Sequence, residues 1–209
     1  LKAKKKPKIR IIGEYPKLTY IEKFYKKSER INLNNNCVII APSGIRGIPK
    51  LSMRHYFEKV ISLLLKENFK VIFRPHPSDR NSKEILDIRE KFKKDSLFTL
   101  DFSSSYIKKY LSSSLMITDY SGTAYTYSMI TLNPVVFFSI NEKYIQKLKY
   151  NKLDYFIDRK KVGLISYNLK DVVKKIKLAI KHKKKYSRNI LEIKNHFFFN
   201  SSKNEHMEF

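Results

Sequence analysis

Cysteine occurs once in this sequence, at Cys37, so neither an internal disulfide nor a cysteine-built zinc cluster is possible. A lone thiol fits a reducing compartment. Glycine is scarce, with five residues, and the glycine patterns of a dinucleotide fingerprint and of a P-loop are both missing. No Gly-x-Ser-x-Gly elbow is present, which removes support for a hydrolase triad. No residues recur at metal-ligand spacing, so neither a metal nor a cofactor is expected. Apolar runs stop well short of the roughly 20 residues that a membrane helix needs. The basic start, "LKAKKKPKIR", has no apolar stretch behind it and does not read as a secretion signal. It opens on Leu rather than Met, which predicts a piece of a longer protein with the missing part on the N-terminal side.

Acidic residues are also few: 19 Asp and Glu against 44 Lys and Arg give a formal net charge of +25. Such a charge attracts nucleic acid, anionic head groups or phosphorylated ligands. Two readings stand side by side. The excess is mostly Lys in a chain also rich in Ile and Asn, which an AT-rich coding bias would give. Alternatively, it marks a functional basic face. Hydrophobic residues make up 42% of the chain, enough for a real core.

Residues 1–8 read as a Lys-rich arm and 1–10 as a basic linker. "IRIIGEYP" predicts a strand and a turn, and "LTYIEKFYKKSERI" a helix. "CVIIAP" is a continuous apolar run ended by proline, hence a strand buried on both faces. A helix is expected from near Ser52, then a strand at "FKVIFRPHP". The next helix has Asp79 or Ser82 as its N-cap. There follow a strand at "SLFTLD", a serine-capped short helix, a strand at "LMITD", a helix at "GTAYTYSMITL" and a strand at "NPVVFFS". Beyond residue 140 the order is less regular, with two late helices at "LKDVVKKIKLAIKHKKK" and "SRNILEIKNHFF". The alternation predicts an α/β fold: a parallel sheet with helices on both faces, over residues 11–168, with C-terminal helices at 169–209. Ligands of such folds bind beyond the carboxyl ends of the strands.

The polar residues cluster at those ends. In "RPHPSD", Arg74 leaves the strand as a fixed cation, and two prolines stiffen the loop around His76. That suits a phosphate or a leaving group gaining charge; it equally suits a proline-rich turn with a surface His. In "TDYSGT", Gly122 permits close backbone approach, and Ser121 and Thr123 can cap a helix or donate to a phosphate. Asp119 would repel a phosphate, so it holds a loop amide or a ligand hydroxyl. "APSGIRG" adds the Ser43 hydroxyl and the Arg46 cation. The remaining histidines, His55, His182, His196 and His206, are scattered and read as surface or tail residues.

These motifs resemble the C-terminal half of the CDP-glycerol glycerophosphotransferase family, which polymerises teichoic-acid and some capsule backbones. "GEYP" resembles its Gly-x-Pro turn, "IIAPSGIR" its Ala-Pro-Thr-x-Arg stretch, and "MITDYSG" its Ile-Thr-Asp-Tyr-Ser-Ser motif. "FRPHP" matches in the expected order, and the likeness spans about residues 11–140. The resemblance implies a GT-B architecture of two Rossmann-like halves, of which this would be the donor-binding one. It implies His76 as the catalytic residue, with Arg74, on the donor phosphates. Ser121, Gly122 and Thr123 would cradle the pyrophosphate, and Ser43, Arg46 and Asp119 would bind substrate on the same rim. The implied partners are CDP-glycerol, an anionic polymer acceptor, an N-terminal Rossmann-like domain and an anionic membrane surface. The implied place is the cytoplasmic face of a bacterial plasma membrane.

Two departures stand out. Where the family continues Ser-Ser-x-x-Phe-Asp, this chain has "SGTAYTY", with Thr126 at the Asp position, which leaves the donor open. The family's His-Gly-Thr-Pro motif, which carries the general base, has no counterpart here, so this chain by itself is not expected to turn over. Competing readings are a GT-B glycosyltransferase half using another nucleotide-sugar for capsule or lipopolysaccharide, and a non-catalytic degenerate domain. A nucleic-acid-binding module ranks lower, because the aromatics fall at core positions rather than among basic residues on an open face.

Overall fold

The computed structural model of the chain describes residues 36–202, with side chains to 195. The expected strand at "IRIIGEYP" and helix at "LTYIEKFYKKSERI" lie outside the described residues. Six strands form one sheet: β1 (Cys37–Ile40), β2 (Lys70–Phe73), β3 (Phe98–Leu100), β4 (Leu115–Thr118), β5 (Val135–Phe138) and β6 (Gly163–Ser166). Their order is β3-β2-β1-β4-β5-β6 and every pairing is parallel. Every residue of β1, β4 and β5 is buried. A sheet covered on both faces needs apolar side chains pointing both ways, which is why "CVII" and "VVFF" do not alternate.

Nine helices accompany the sheet among the described residues: α1 (Phe57–Lys66), α2 (Lys83–Phe92), α3 (Ile107–Leu111), α4 (Thr123–Thr131), α5 (Glu142–Lys147), α6 (Asp154–Ile157), α7 (Arg159–Val162), α8 (Leu169–Lys181) and α9 (Lys183–Ser202). In α1 the buried residues are Phe57, Val60, Ile61 and Leu64, one stripe at helical spacing. Each side chain so buried contributes about 1.5–3 kcal/mol of transfer free energy. α8 does the same with Val172, Ile176 and Ala179 and packs on β4, β5, β6 and α1. On α4 pack α3 and α9.

Three local expectations are corrected and one is narrowed. The helix expected from Ser52 begins at Phe57, after a 3-10 turn at Arg54–Tyr56. Leu51, Ser52 and Met53 are drawn into the core instead, and the Met53 amide is held by Asp119. Of the two N-cap candidates for α2, Ser82 holds the position, although its side chain makes no cap bond, while Asp79 closes a 3-10 turn (Pro77–Asp79). No serine caps α3, which has Tyr106 at its N-cap, while Ser103 turns toward Arg74. Finally, β6 lies in the stretch read as irregular. Its four residues, "GLIS", give too short a pattern to stand out, and it forms because β5 offers a free edge.

Candidate functional site

Chain order along the sheet reverses between β1 and β4, and a crevice opens beyond the ends of such a strand pair. Asp119, the residue after β4, occupies its floor and is 2% exposed. Its Oδ1 accepts from the amides of Ser43 at 2.9 Å and Tyr120 at 2.7 Å. Its Oδ2 accepts from the Ser43 hydroxyl at 2.9 Å and the Met53 amide at 3.1 Å. Burial pushes the carboxyl pKa up, and the four hydrogen bonds oppose that shift. Of the two jobs the sequence offered Asp119, it performs the first, holding loop amides. The Ser43 hydroxyl is committed to it.

The loop after β1 is shaped by close contacts. A Cβ on Gly47 would lie 2.1 Å from the Tyr120 hydroxyl, so a larger residue there would push that side chain aside. The same hydroxyl accepts from the Ile48 amide. Arg46 stands exposed at the loop tip with no ion-pair partner among the described residues. Gly44 lies against the His76 ring, since a Cβ there would come within 3.4 Å of its Cγ.

His76 is exposed, with Pro75 buried beside it. Its Nδ1 lies 2.7 Å from the Ser78 hydroxyl and 3.3 Å from the Ser78 amide. Its Nε2 has no hydrogen-bond partner among the described residues. Arg74 is less free than a phosphate reader would be. Its Nη1 pairs with Asp101, and its Nη2 donates to the Ser103 carbonyl at 2.9 Å. The Arg74 side chain is 14% exposed and that of Asp101 4%, so this pair anchors the end of β3 to the end of β2.

Ser121, Gly122 and Thr123 form the start of α4. Gly122 is at the N-cap, no side chain caps the helix, and a Cβ on Gly122 would meet nothing within 4 Å. The Ser121 hydroxyl has no partner among the described residues, whereas that of Thr123 bonds to the Tyr110 hydroxyl. Burial pushes the Tyr110 phenol up in pKa, so it stays neutral. From the other side the Tyr155 hydroxyl donates to the Ser121 carbonyl at 3.1 Å, and the Tyr125 hydroxyl to the Tyr155 carbonyl at 2.6 Å. Burial pushes both phenols up in pKa, so they remain neutral donors.

All eight sequence-selected residues thus lie beyond the ends of β1, β2 and β4. Ser43 and Asp119 bond directly, and His76 packs on the Ser43 loop. Thr123 bonds to Tyr110, Arg74 is tied to Asp101 and Ser103, and Arg46 stands apart. Sequence reasoning missed the anchors Ser78, Asp79 and Tyr155. The first two were legible as polar neighbours of His76; Tyr155 sits in an irregular stretch with no motif around it. Among the described residues no three His, Cys, Asp or Glu side chains gather as a metal site. No helix there is long and apolar enough to cross a membrane.

The chain is 25% identical over 211 residues to the minor teichoic acid biosynthesis protein GgaB of Bacillus subtilis (strain 168), covering 93% of this chain and 22% of that protein. Among solved structures it is similar to the C-terminal CMP-Kdo binding domain of WaaA from Acinetobacter baumannii. That likeness has a TM-score of 0.52 at 14% identity and covers 84% of this chain and 98% of that one, which makes it a likeness of fold. The wall teichoic acid polymerase TagF also aligns, with a TM-score of 0.46 at 15% identity over 92% of this chain and 48% of TagF. The chain therefore spans under a quarter of GgaB and about half of TagF. The profile of the CDP-glycerol:poly(glycerophosphate) glycerophosphotransferases matches residues 27–206, and the chain belongs to that family.

Proposed function

We propose that this chain is the donor-nucleotide-binding half of a glycerophosphotransferase that moves glycerol phosphate from CDP-glycerol to a cell-surface polymer. The observation that carries this reading is the uncapped start of α4 at the reversal point of the sheet. Open space lies over Gly122, the Ser121 hydroxyl has no partner among the described residues, and His76 is exposed on the neighbouring strand end. Helix N-terminal amides and their dipole favour an anion at such a place. In the reaction an acceptor hydroxyl attacks the β-phosphorus in line. The bond from that phosphorus to the bridging oxygen breaks, CMP leaves, and the acceptor loses its proton to a base. His76 meets the donor phosphates beside Arg74, which stays paired with Asp101; the amides of Ser121 to Thr123 cradle them, and a domain outside this chain supplies the base. Binding of this kind works by positioning and by stabilising charge on the leaving phosphate.

A basic face supports an anionic acceptor in this reading. Lys181, Lys183, Lys184, Lys185 and Arg188 surround a concavity of about 900 Å³ where α8 meets α9. In this reading that face holds the polymer or the head groups of a bacterial plasma membrane, at its cytoplasmic side. Among the described residues the sheet domain serves as the donor unit, with α8 and α9 packed on it.

Calorimetric titration with CDP-glycerol, CMP and a UDP-sugar tests the reading. Cytidine nucleotides are expected to bind, and His76→Ala and Ser121→Ala to weaken them. Preference for the UDP-sugar would move the chain to an ordinary glycosyltransferase. No nucleotide binding, with salt-sensitive binding to DNA, would overturn the donor reading.

A further inference from the structure

The two residues after Pro77 connect His76 to a buried carboxylate. Asp79 is 4% exposed. Its Oδ2 accepts from the Ile45 amide at 2.8 Å, and its Oδ1 has one donor among the described residues, the Ser78 hydroxyl at 3.0 Å. The same hydroxyl lies 2.7 Å from Nδ1 of His76. A serine hydroxyl carries one proton, and an ionised carboxylate can only accept.

Two arrangements compete. In one, Ser78 gives its proton to Asp79 and turns a lone pair to Nδ1, which must then carry a proton itself. In the other, Ser78 gives its proton to Nδ1, and the Ser78 amide at 3.3 Å donates to the same nitrogen. The second strips Oδ1 of its donor inside the protein. A buried charged acceptor without a partner is the costlier fault, because a hydrogen bond to a carboxylate is stronger than one to a neutral ring. In the first arrangement the neutral Ser78 amide gives up Nδ1 as its acceptor, a smaller loss than that of a donor to a buried carboxylate.

We infer that Asp79, acting through Ser78, fixes His76 in the tautomer that bears its proton on Nδ1 and leaves Nε2 bare toward the open rim. Ser78 and Asp79 are positioning residues. A bare Nε2 accepts a hydrogen bond from a ligand hydroxyl, or takes a proton and becomes a cation beside a phosphate, with Asp79 balancing the charge. Because Asp79 also holds the Ile45 amide, it locks the loop that carries Ser43 and Gly44 to the loop that carries His76. Which ring nitrogen of a histidine carries the proton is set by the hydrogen bond that the other nitrogen makes.

This inference rests on the donor-site reading for its use, but its test does not. The tautomer of His76 is read from long-range nitrogen–proton correlations in the ¹⁵N-labelled chain, without nucleotide, at mildly alkaline pH. The proton is expected on Nδ1. Ser78→Ala leaves the amide as the only partner of Nδ1 and is expected to move the proton to Nε2, while Ser78→Thr keeps the hydroxyl and the parent tautomer. A parent ring protonated on Nε2, or a Ser78→Ala ring that keeps its proton on Nδ1, would overturn the inference. A chain with the expected tautomers that binds no cytidine nucleotide would sink the donor reading and leave the relay standing.

Discussion

Asp119→Asn isolates what holds the crevice together. The asparagine carbonyl can replace Oδ1 and keep the Ser43 and Tyr120 amides, which both point there. Its amide nitrogen then replaces Oδ2 and faces the Ser43 hydroxyl and the Met53 amide. The hydroxyl can rotate and accept; the Met53 amide cannot, and Met53 is 0% exposed, so no water reaches it. One buried donor without an acceptor costs about 1–3 kcal/mol, and that is the loss expected for Asp119→Asn. Asp119→Ala orphans all four donors, of which the half-exposed Ser43 and Tyr120 groups recover water, while loss of the buried charge gives some stability back. Its net cost is expected to be larger, about 2–4 kcal/mol. Urea unfolding followed by far-ultraviolet circular dichroism measures both, which is convenient in a chain with no tryptophan. Ser43→Ala should cost less in the Asp119→Asn background than in the parent, because the two side chains share a bond. An Asp119→Asn variant as stable as the parent, or no better than Asp119→Ala, would refute the reasoning.

Arg74→Ala leaves Asp101 buried without its cation and is expected to cost about 3–5 kcal/mol in the same assay; a parent-like midpoint would show that the pair anchors nothing. Gly163→Ala would bring a Cβ to within 1.7 Å of the Val135 carbonyl on the neighbouring strand. Thermal unfolding should show a large drop in Tm as β5 and β6 are forced apart, and an unchanged Tm would contradict that packing. Burial pushes the phenols of Tyr110, Tyr125, Tyr127 and Tyr155 up. The folded chain therefore keeps protons that the unfolded chain releases above about pH 10. Their contribution to stability is whole below that pH and is lost as pH rises through the folded values. Urea midpoints should fall steeply on the alkaline side, and less so in Tyr127→Phe; a flat profile would argue against burial of these rings.

The strands were legible because sequence periodicity reports directly on burial. "CVII", "LMIT" and "VVFF" are apolar at nearly every position, which only a sheet covered on both faces requires. The parallel arrangement followed from helices placed between strands, and the rim residues from their position just past each strand. β6 was not legible, since four residues give no period and its pairing with β5 is a long-range event. The capping serines failed for a related reason. Ser103 precedes the observed N-cap, Tyr106, and its hydroxyl donates to the Ser105 carbonyl at 3.1 Å instead.

The sequence by itself determined the fold class, the family and which residues stand at the rim, because those depend on local pattern and chain order. What it could not determine is how each rim residue is employed. Asp119 stands 76 residues from Ser43, and their bonds exist only when β1 and β4 become neighbours. Asp79 lies 34 residues from Ile45, and its burial, not its place in a motif, commits it to that amide. Tyr155 reaches the Ser121 carbonyl across 34 residues of chain. A polar side chain takes the partners that surround it after folding, and its strength of commitment rises as water is excluded. Tertiary structure therefore decided which of the candidate residues are tied down and which polar atoms, Nε2 of His76 and the Ser121 hydroxyl, have no partner among the described residues.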